Sequence, residues 1–241
     1  MRLILLLLLF VVTSTSPVAA GTPEGALRIQ SAYENALEEW AGKLAIAAPE
    51  EQLNVWANRP VSSHHAGLMW DEIKGALDQE WALDHCAWML ERAPVYSVGR
   101  EEGSEVSRAA RIVEAVRTVH YRNEKVGMVC LALTSQSDPA IMKVIEKVES
   151  QNPSREVQGQ ASLAIAMILK GLGDDPEVME KRISHLRSAI IKAHEVEVGD
   201  TTVSKLAMDE IFIIRNLTKG RTAPDAIGRD SSGEPFKLSM M

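Results

Sequence analysis

The sequence lacks the short signatures by which many enzymes are recognised. It has no Cys-x-x-Cys, no Gly-x-Ser-x-Gly elbow and no glycine-rich phosphate loop, and no two of its six histidines stand at His-x-x-x-His spacing. It has two cysteines, Cys86 and Cys130, 44 residues apart. That rules out a disulfide scaffold and leaves one bridge or two buried free thiols, the second being favoured. Basic charge is also in deficit. Lys and Arg number 26 against 33 Asp and Glu, for a net charge of −7, and no Lys/Arg stripe offsets it. This balance disfavours phosphate-backbone binding, so no nucleic-acid partner is expected. Aromatics are scarce at 5%, and strand signals are almost absent before residue 220.

What is present begins with a targeting pattern. Arg2 precedes the apolar run Leu3 to Val12, and a polar stretch leads to "SPVAA" with Val18 and Ala20 at the −3 and −1 positions of a cleavage site. The run is ten residues long, against ~20 needed to cross a bilayer, so residues 1–20 read as a secretory signal. Export to the periplasm or cell envelope is the expectation, with no membrane span after cleavage. Loss of Arg2 would take the net charge from −7 to −8.

Apolar residues then recur at helical spacing. Leu27, Tyr33, Leu37, Trp40 and Leu44 predict a helix over about 24–48, ended by Pro49, and "EEQLNVWANRP" predicts a short one stopped by Pro60. Residues 61–67 ("VSSHHAG") read as a turn with Ser62 or Ser63 as a cap, followed by helices over 65–75 and 78–92. The stretch 92–104 reads as a loop whose Ser104 caps the next helix, with an apolar stripe through Val106, Val113 and His120. Residues 124–136 predict a buried helix. Three later helices share one punctuation, Asp138-Pro139, Asn152-Pro153 and Asp175-Pro176, each placing a cap before Pro. With Gly171, Gly199 and Gly220 as stops, helices are predicted over 139–150, 153–170, 176–198 and 201–218. The intervals of 14 and 23 residues between those pairs match no standard repeat. The fold class is therefore all-α, an irregular solenoid-like array of antiparallel helical hairpins.

Side chains able to do chemistry are present but scattered. His64 and His65 are adjacent and diverge, and His85-Cys86 are neighbours whose side chains lie ~100° apart on a helix. A thiol enzyme built on Cys86 and His85 is a minor reading. Trp40, Trp56, Trp70, Trp81 and Trp88 all fall in the first part of the chain and form either a core or a ligand groove, the core being favoured. No catalytic, cofactor-binding or metal-ligating residue is nominated, and no cofactor is expected.

The C-terminal stretch carries a resemblance. "REVQGQASLAIAMILKG" (155–171) followed by "LAMDEIFIIRNLTKGRTAPDAIGRDSSGEPFKLS" (206–239) is similar to the helical N-terminal part of exported bacterial redoxins of the TlpA-like thiol–disulfide reductase or peroxiredoxin type. Leu217, Gly220, Ala223, Pro224, Gly228, Asp230, Gly233, Phe236, Leu238 and Ser239 stand at the positions of that family's junction with its thioredoxin-like domain. In the family a redox cysteine motif follows, whereas here Ser239 is followed by Met240 and Met241. The resemblance therefore implies no catalytic residue in this chain. It implies a signal (1–20), a helical domain (21–219) and the truncated start of a thioredoxin-like domain (220–241). The tail has a two-strand hairpin pattern with Ser231, Ser232 and Gly233 at the turn, expected to be mobile or weakly docked. A non-catalytic helical module of a thioredoxin-like protein is the expected function. The alternative is a stand-alone helical binding protein that recognises a peptide or protein partner.

Overall fold

The computed structural model describes residues 21–222, 224–229, 231–237 and 239. The candidate signal segment and Ala223, Asp230 and Leu238 of the tail motif lie outside the described residues. The architecture is all-α with a short extended tail. Helix α1 (Pro23–Ile46) is followed by α2 (Gln52–Ala57), α3 (Ser62–Ile73), α4 (Ala82–Arg92), α5 (Pro94–Val98) and α6 (Arg108–Ala115). A π-helical turn (Val116–His120) continues α6, and α7 (Val126–Leu133), α8 (Ala140–Gln151), α9 (Arg155–Lys170) and α10 (Pro176–Lys192) follow. A small hairpin of β1 (Glu197–Val198) and β2 (Thr201–Thr202) leads into α11 (Val203–Asn216), and β3 (Ile227–Arg229) pairs antiparallel with β4 (Pro235–Lys237) in the tail.

Local chemistry sets most of the helix starts. Thr22 accepts a hydrogen bond from the Gly25 amide at 3.0 Å with Pro23 in the first turn, and Asp175 accepts from Glu177 at 3.0 Å ahead of Pro176. The Asn152-Pro153 expectation is corrected. Ser154 caps α9, while the Asn152 amide donates to the carbonyls of Tyr121 (3.0 Å) and Asn123 (2.9 Å). Asn152 Oδ1 still accepts locally from the Ser154 amide at 2.9 Å, so the residue serves both a local turn and a long-range tie.

Four other expectations change for stated reasons. The 61–67 turn is helical, because α3 begins at Ser62 with Val61 as a cap that has no side-chain acceptor. The 92–104 loop contains α5, started by Pro94. Ser107, not Ser104, caps α6, accepting from Ala110 at 3.1 Å, while Ser104 bonds locally to Val106. Helix α10 stops at Lys192 instead of 198. The alternation in "VEVGDTTV" forms β1–β2 around Gly199, whose φ is +58°. Gly171 ends α9 without entering the left-handed region.

A continuous core runs from α1 to α9 and includes Met69, Trp70, Ile73, Met89, Leu90, Ile112, Leu133 and Ile145. A second, smaller core of Leu163, Leu186, Ala189, Val203, Ala207 and Ile214 joins α9, α10 and α11. Gly159 makes the α9–α10 contact close, since a β-carbon there would stand 2.5 Å from Ala193 Cβ. The tail stands on the surface. Of its described residues from Pro224 onward, all but Gly228 are exposed, and Gly233 (φ +87°) turns the hairpin. Among the described residues no helix is long and apolar enough to cross a membrane.

Candidate functional site

Both cysteines are buried and free, Cys86 on α4 and Cys130 on α7. Burial, with the nearby Asp84 charge adding to it, pushes the Cys86 thiol up to about 12, and burial takes Cys130 to about 12 as well. The thiolate is the reactive form, so these cysteines behave as small core residues. His85 does not serve Cys86. Its Nδ1 lies 3.2 Å from Gln30 Oε1 on α1, and burial, partly opposed by Asp84, lowers its pKa.

The other histidines are dispersed. His120 is buried with Nε2 2.9 Å from the Leu77 carbonyl. His65 places its ring 5.1 Å from that of Tyr33, while His64 and His194 are exposed. His185 belongs to a cluster that places a serine, a histidine and a glutamate together. Its Nδ1 is 3.0 Å from Glu149 Oε1, and Ser162 Oγ, fully buried, donates to the same oxygen at 2.6 Å. In a nucleophilic triad the imidazole lies between hydroxyl and carboxylate. Here hydroxyl and imidazole both address the carboxylate, so the cluster is a polar clasp between α8, α9 and α10. Burial pushes the Glu149 carboxyl up. The hydrogen bonds from His185 and Ser162, with the His185 and Lys192 charges, outweigh it and bring the pKa below its ordinary value. Among the described residues no group of three or more His, Cys, Asp or Glu is arranged to hold a metal ion.

The five tryptophans divide. Trp70 (1% exposed) and Trp88 (6%) are core residues, and Trp81 is half-buried against His85. A single groove lined by all five does not form. Trp40 and Trp56 instead make a surface pair with ring centroids 5.4 Å apart. Trp40 Nε1 donates to the Val55 carbonyl at 2.8 Å, which ties α2 to α1, and the Arg59 guanidinium sits 5.4 Å from the Trp40 ring. Helix α2 buries no residue. The end of α1 together with α2 thus forms a prong with Ile46 (86% exposed), Leu53 (82%), Val61 (62%) and Trp56 (55%) near its surface. Exposed apolar groups gathered this way mark interaction sites in soluble proteins.

Two clefts flank the prong. One, of about 340 Å³, lies between Trp40, Val55, Asn54 and Pro60. The other, of about 460 Å³, opens between Tyr33, Leu37, Arg59, Pro60, Ser62 and Arg92. A wider cleft of about 650 Å³ beside α10 mixes Asp174 and Glu180 with Arg187, Lys219 and Arg221, and every polar residue in it is exposed or half-buried. Without a buried polar group or a tied aromatic pair, it is a less specific surface than the prong.

Comparison with known proteins yields nothing: no family model matches the chain, nor does any curated protein or solved structure. The site therefore rests on its own geometry. Sequence reasoning located the tryptophan-rich region but missed Tyr33 and the start of α3 as parts of it. The available signal was "RPVSSHH", a helix start with basic and imidazole groups where acidic residues are usual.

Proposed function

We propose that this chain is a non-catalytic helical module of an exported thioredoxin-like thiol–disulfide reductase or peroxiredoxin-type protein, and that it binds an extended peptide or protein segment on the α1–α2 prong. One observation carries the binding reading. A helix with no buried residue is held in place by a tryptophan pair and a Trp–carbonyl hydrogen bond, with its apolar side chains facing water. Aromatic anchors of this kind supply large contact area with little loss of side-chain freedom, and they dominate interface energetics. The link to thioredoxin-like proteins rests on the tail resemblance, and an exposed hairpin standing apart from the helical cores is compatible with it. The core position of both thiols supports a role that does not use them.

The test is binding of an N-terminally fluorescein-labelled pool of random hexapeptides, read by anisotropy. Saturable binding is expected, weakened about tenfold or more by Trp56→Ala, the loss typical of an aromatic anchor. Binding that is absent, or indifferent to Trp56, overturns the proposal. In the same samples a disulfide reagent should modify Cys86 and Cys130 only at the rate of unfolding.

A further inference from the structure

We propose that a cleft formed by the turn between α7 and α8 and by the end of α9 binds a small neutral aromatic molecule carrying one N–H or O–H donor. The cleft has a volume of about 510 Å³ and lies among Gln136, Ile141, Met142, Met167, Ile168 and Leu172. Its size falls within the range of small-molecule sites, roughly 300–1,000 Å³. It shares no residue with the clefts beside the prong, so the inference stands apart from the peptide-binding reading.

The observation that asks for a ligand is at Gln136. The residue is 9% exposed, and its Oε1 is buried without a hydrogen-bond partner. Neighbouring bonds fix which end of the amide is left over. Ser135 Oγ commits its single proton to the Ala132 carbonyl at 2.8 Å, so it meets Gln136 as an acceptor. Gln136 Nε2 donates to it at 3.0 Å, and the oxygen is the end without a partner. An acceptor removed from water and left unpaired is destabilising, and a donor brought by a ligand relieves it. Other polar groups along the cleft are engaged or wet. Thr134 Oγ1 donates to the Leu131 carbonyl at 2.7 Å, Asp138 Oδ1 accepts from the Ala140 amide at 2.8 Å, and Ser137 is exposed. The demand is therefore for one donor at one point.

The rest of the lining selects the body of the ligand. Ile141 is buried, Met142, Met167 and Ile168 are half-buried, and Leu172 is exposed. A recessed and largely apolar wall suits a whole small molecule, whereas the exposed apolar groups of the prong suit an extended segment. The two methionines set the preference for a ring. Their thioethers are polarizable and contact aromatic edges favourably, and their unbranched chains can move to let a donor reach Oε1. Asp138 is the one charged residue in the lining and is exposed, so the wall offers no buried charge to pair with an ionic ligand.

The experiment titrates the protein with indole and with benzothiophene, a ring of similar shape that lacks the N–H, each followed by ligand-observed NMR. Indole is expected to bind about tenfold tighter, the effect of one hydrogen bond to a buried acceptor. Gln136→Leu, which removes the unpaired group and keeps most of the bulk, should bring the two affinities together by weakening indole and leaving benzothiophene unchanged. Trp56→Ala should leave both affinities as they are. Absence of binding, equal binding of the two rings to the unaltered protein, or a ratio that persists in Gln136→Leu overturns the inference. Loss of indole binding in Trp56→Ala also overturns it, because the ring then sits on the prong. Binding of N-acetyl-tryptophan amide as tight as that of indole overturns the assignment to a free molecule, because the cleft then takes a side chain carried on a backbone.

Discussion

Helix α9 buries every residue from Gly159 to Ala166, whereas α2 buries none. The two helices occupy opposite situations in one molecule. α9 is packed by α7, α8, α10 and α11, and its small residues Gly159, Ala161, Ser162, Ala164 and Ala166 let neighbours come close on every side. Its surroundings are cross-linked by polar groups: the Ser162–Glu149–His185 clasp, and Glu210, which is ion-paired to both Lys170 (2.7 Å) and the buried Arg182. α2 packs chiefly on α1 and is fixed to it by an indole hydrogen bond and a ring contact. α9 invests its apolar surface in the core, while the prong leaves much of its own outside. The difference separates residues needed for folding from residues free to meet a partner.

The largest effect that would sharpen this contrast is at Leu186, fully buried in the smaller core. Leu186→Ala should cost about 3 kcal/mol, seen as a fall in melting temperature of roughly 6–12 °C, while Trp56→Ala should cost about 1 kcal/mol or less, the worth of a ring pair at the surface. Comparable losses at the two sites would remove the distinction between scaffold and binding face.

Glycines test it with opposite signs. A β-carbon at Gly159 would meet Ala193 Cβ at 2.5 Å and the Ala193 amide nitrogen at 2.8 Å, so Gly159→Ala should destabilise by about 2 kcal/mol despite alanine's better helix propensity. Gly42, exposed in α1, has nothing within 4 Å of such a carbon, and Gly42→Ala should stabilise by about 0.5–1 kcal/mol. Denaturant titrations of both variants would show it, and a loss at Gly42 would mean that α1 is constrained there by something it binds.

The smallest expected effects are pH-dependent and fall in different windows. The folded pKa of His85 lies below its ordinary 6.5, so the unfolded chain takes up that proton first and stability declines as pH falls below 6.5. The folded pKa of Glu149 lies below 4.5, so its contribution is present above 4.5 and is lost as pH falls through the folded value. Melting curves against pH should therefore flatten near 6 in His85→Gln and below 4.5 in Glu149→Gln. A single shared window would indicate that one group controls both halves.

Much of this was readable from sequence, and the exceptions have a common cause. Asp175-Pro176 and the Gly233 turn act within a few residues, so their local pattern was sufficient to place them. Asn152 makes the same kind of local bond, to the Ser154 amide, but its side-chain amide is also tied to carbonyls about thirty residues earlier, and Ser154 takes the cap. The start of α3 was hidden because no side chain caps it. Trp70 and Trp56 sit in similar helical contexts, and only packing against the rest of the chain makes one a core residue and the other an anchor. The thiols were legible as buried, and the sequence pointed to two free ones, as found.

The placement of the tryptophans has an optical consequence. All five lie between residues 40 and 88, so the chain beyond Trp88 has no intrinsic indole reporter. Indole emission therefore follows the larger core and the prong, while far-ultraviolet dichroism follows helices throughout, and α10 and α11, packed in the smaller core, contribute to the second signal alone. The molecule carries a built-in two-channel readout. If the two cores melt as one unit the curves superimpose, and if the α9–α11 core melts separately dichroism registers a transition that emission does not.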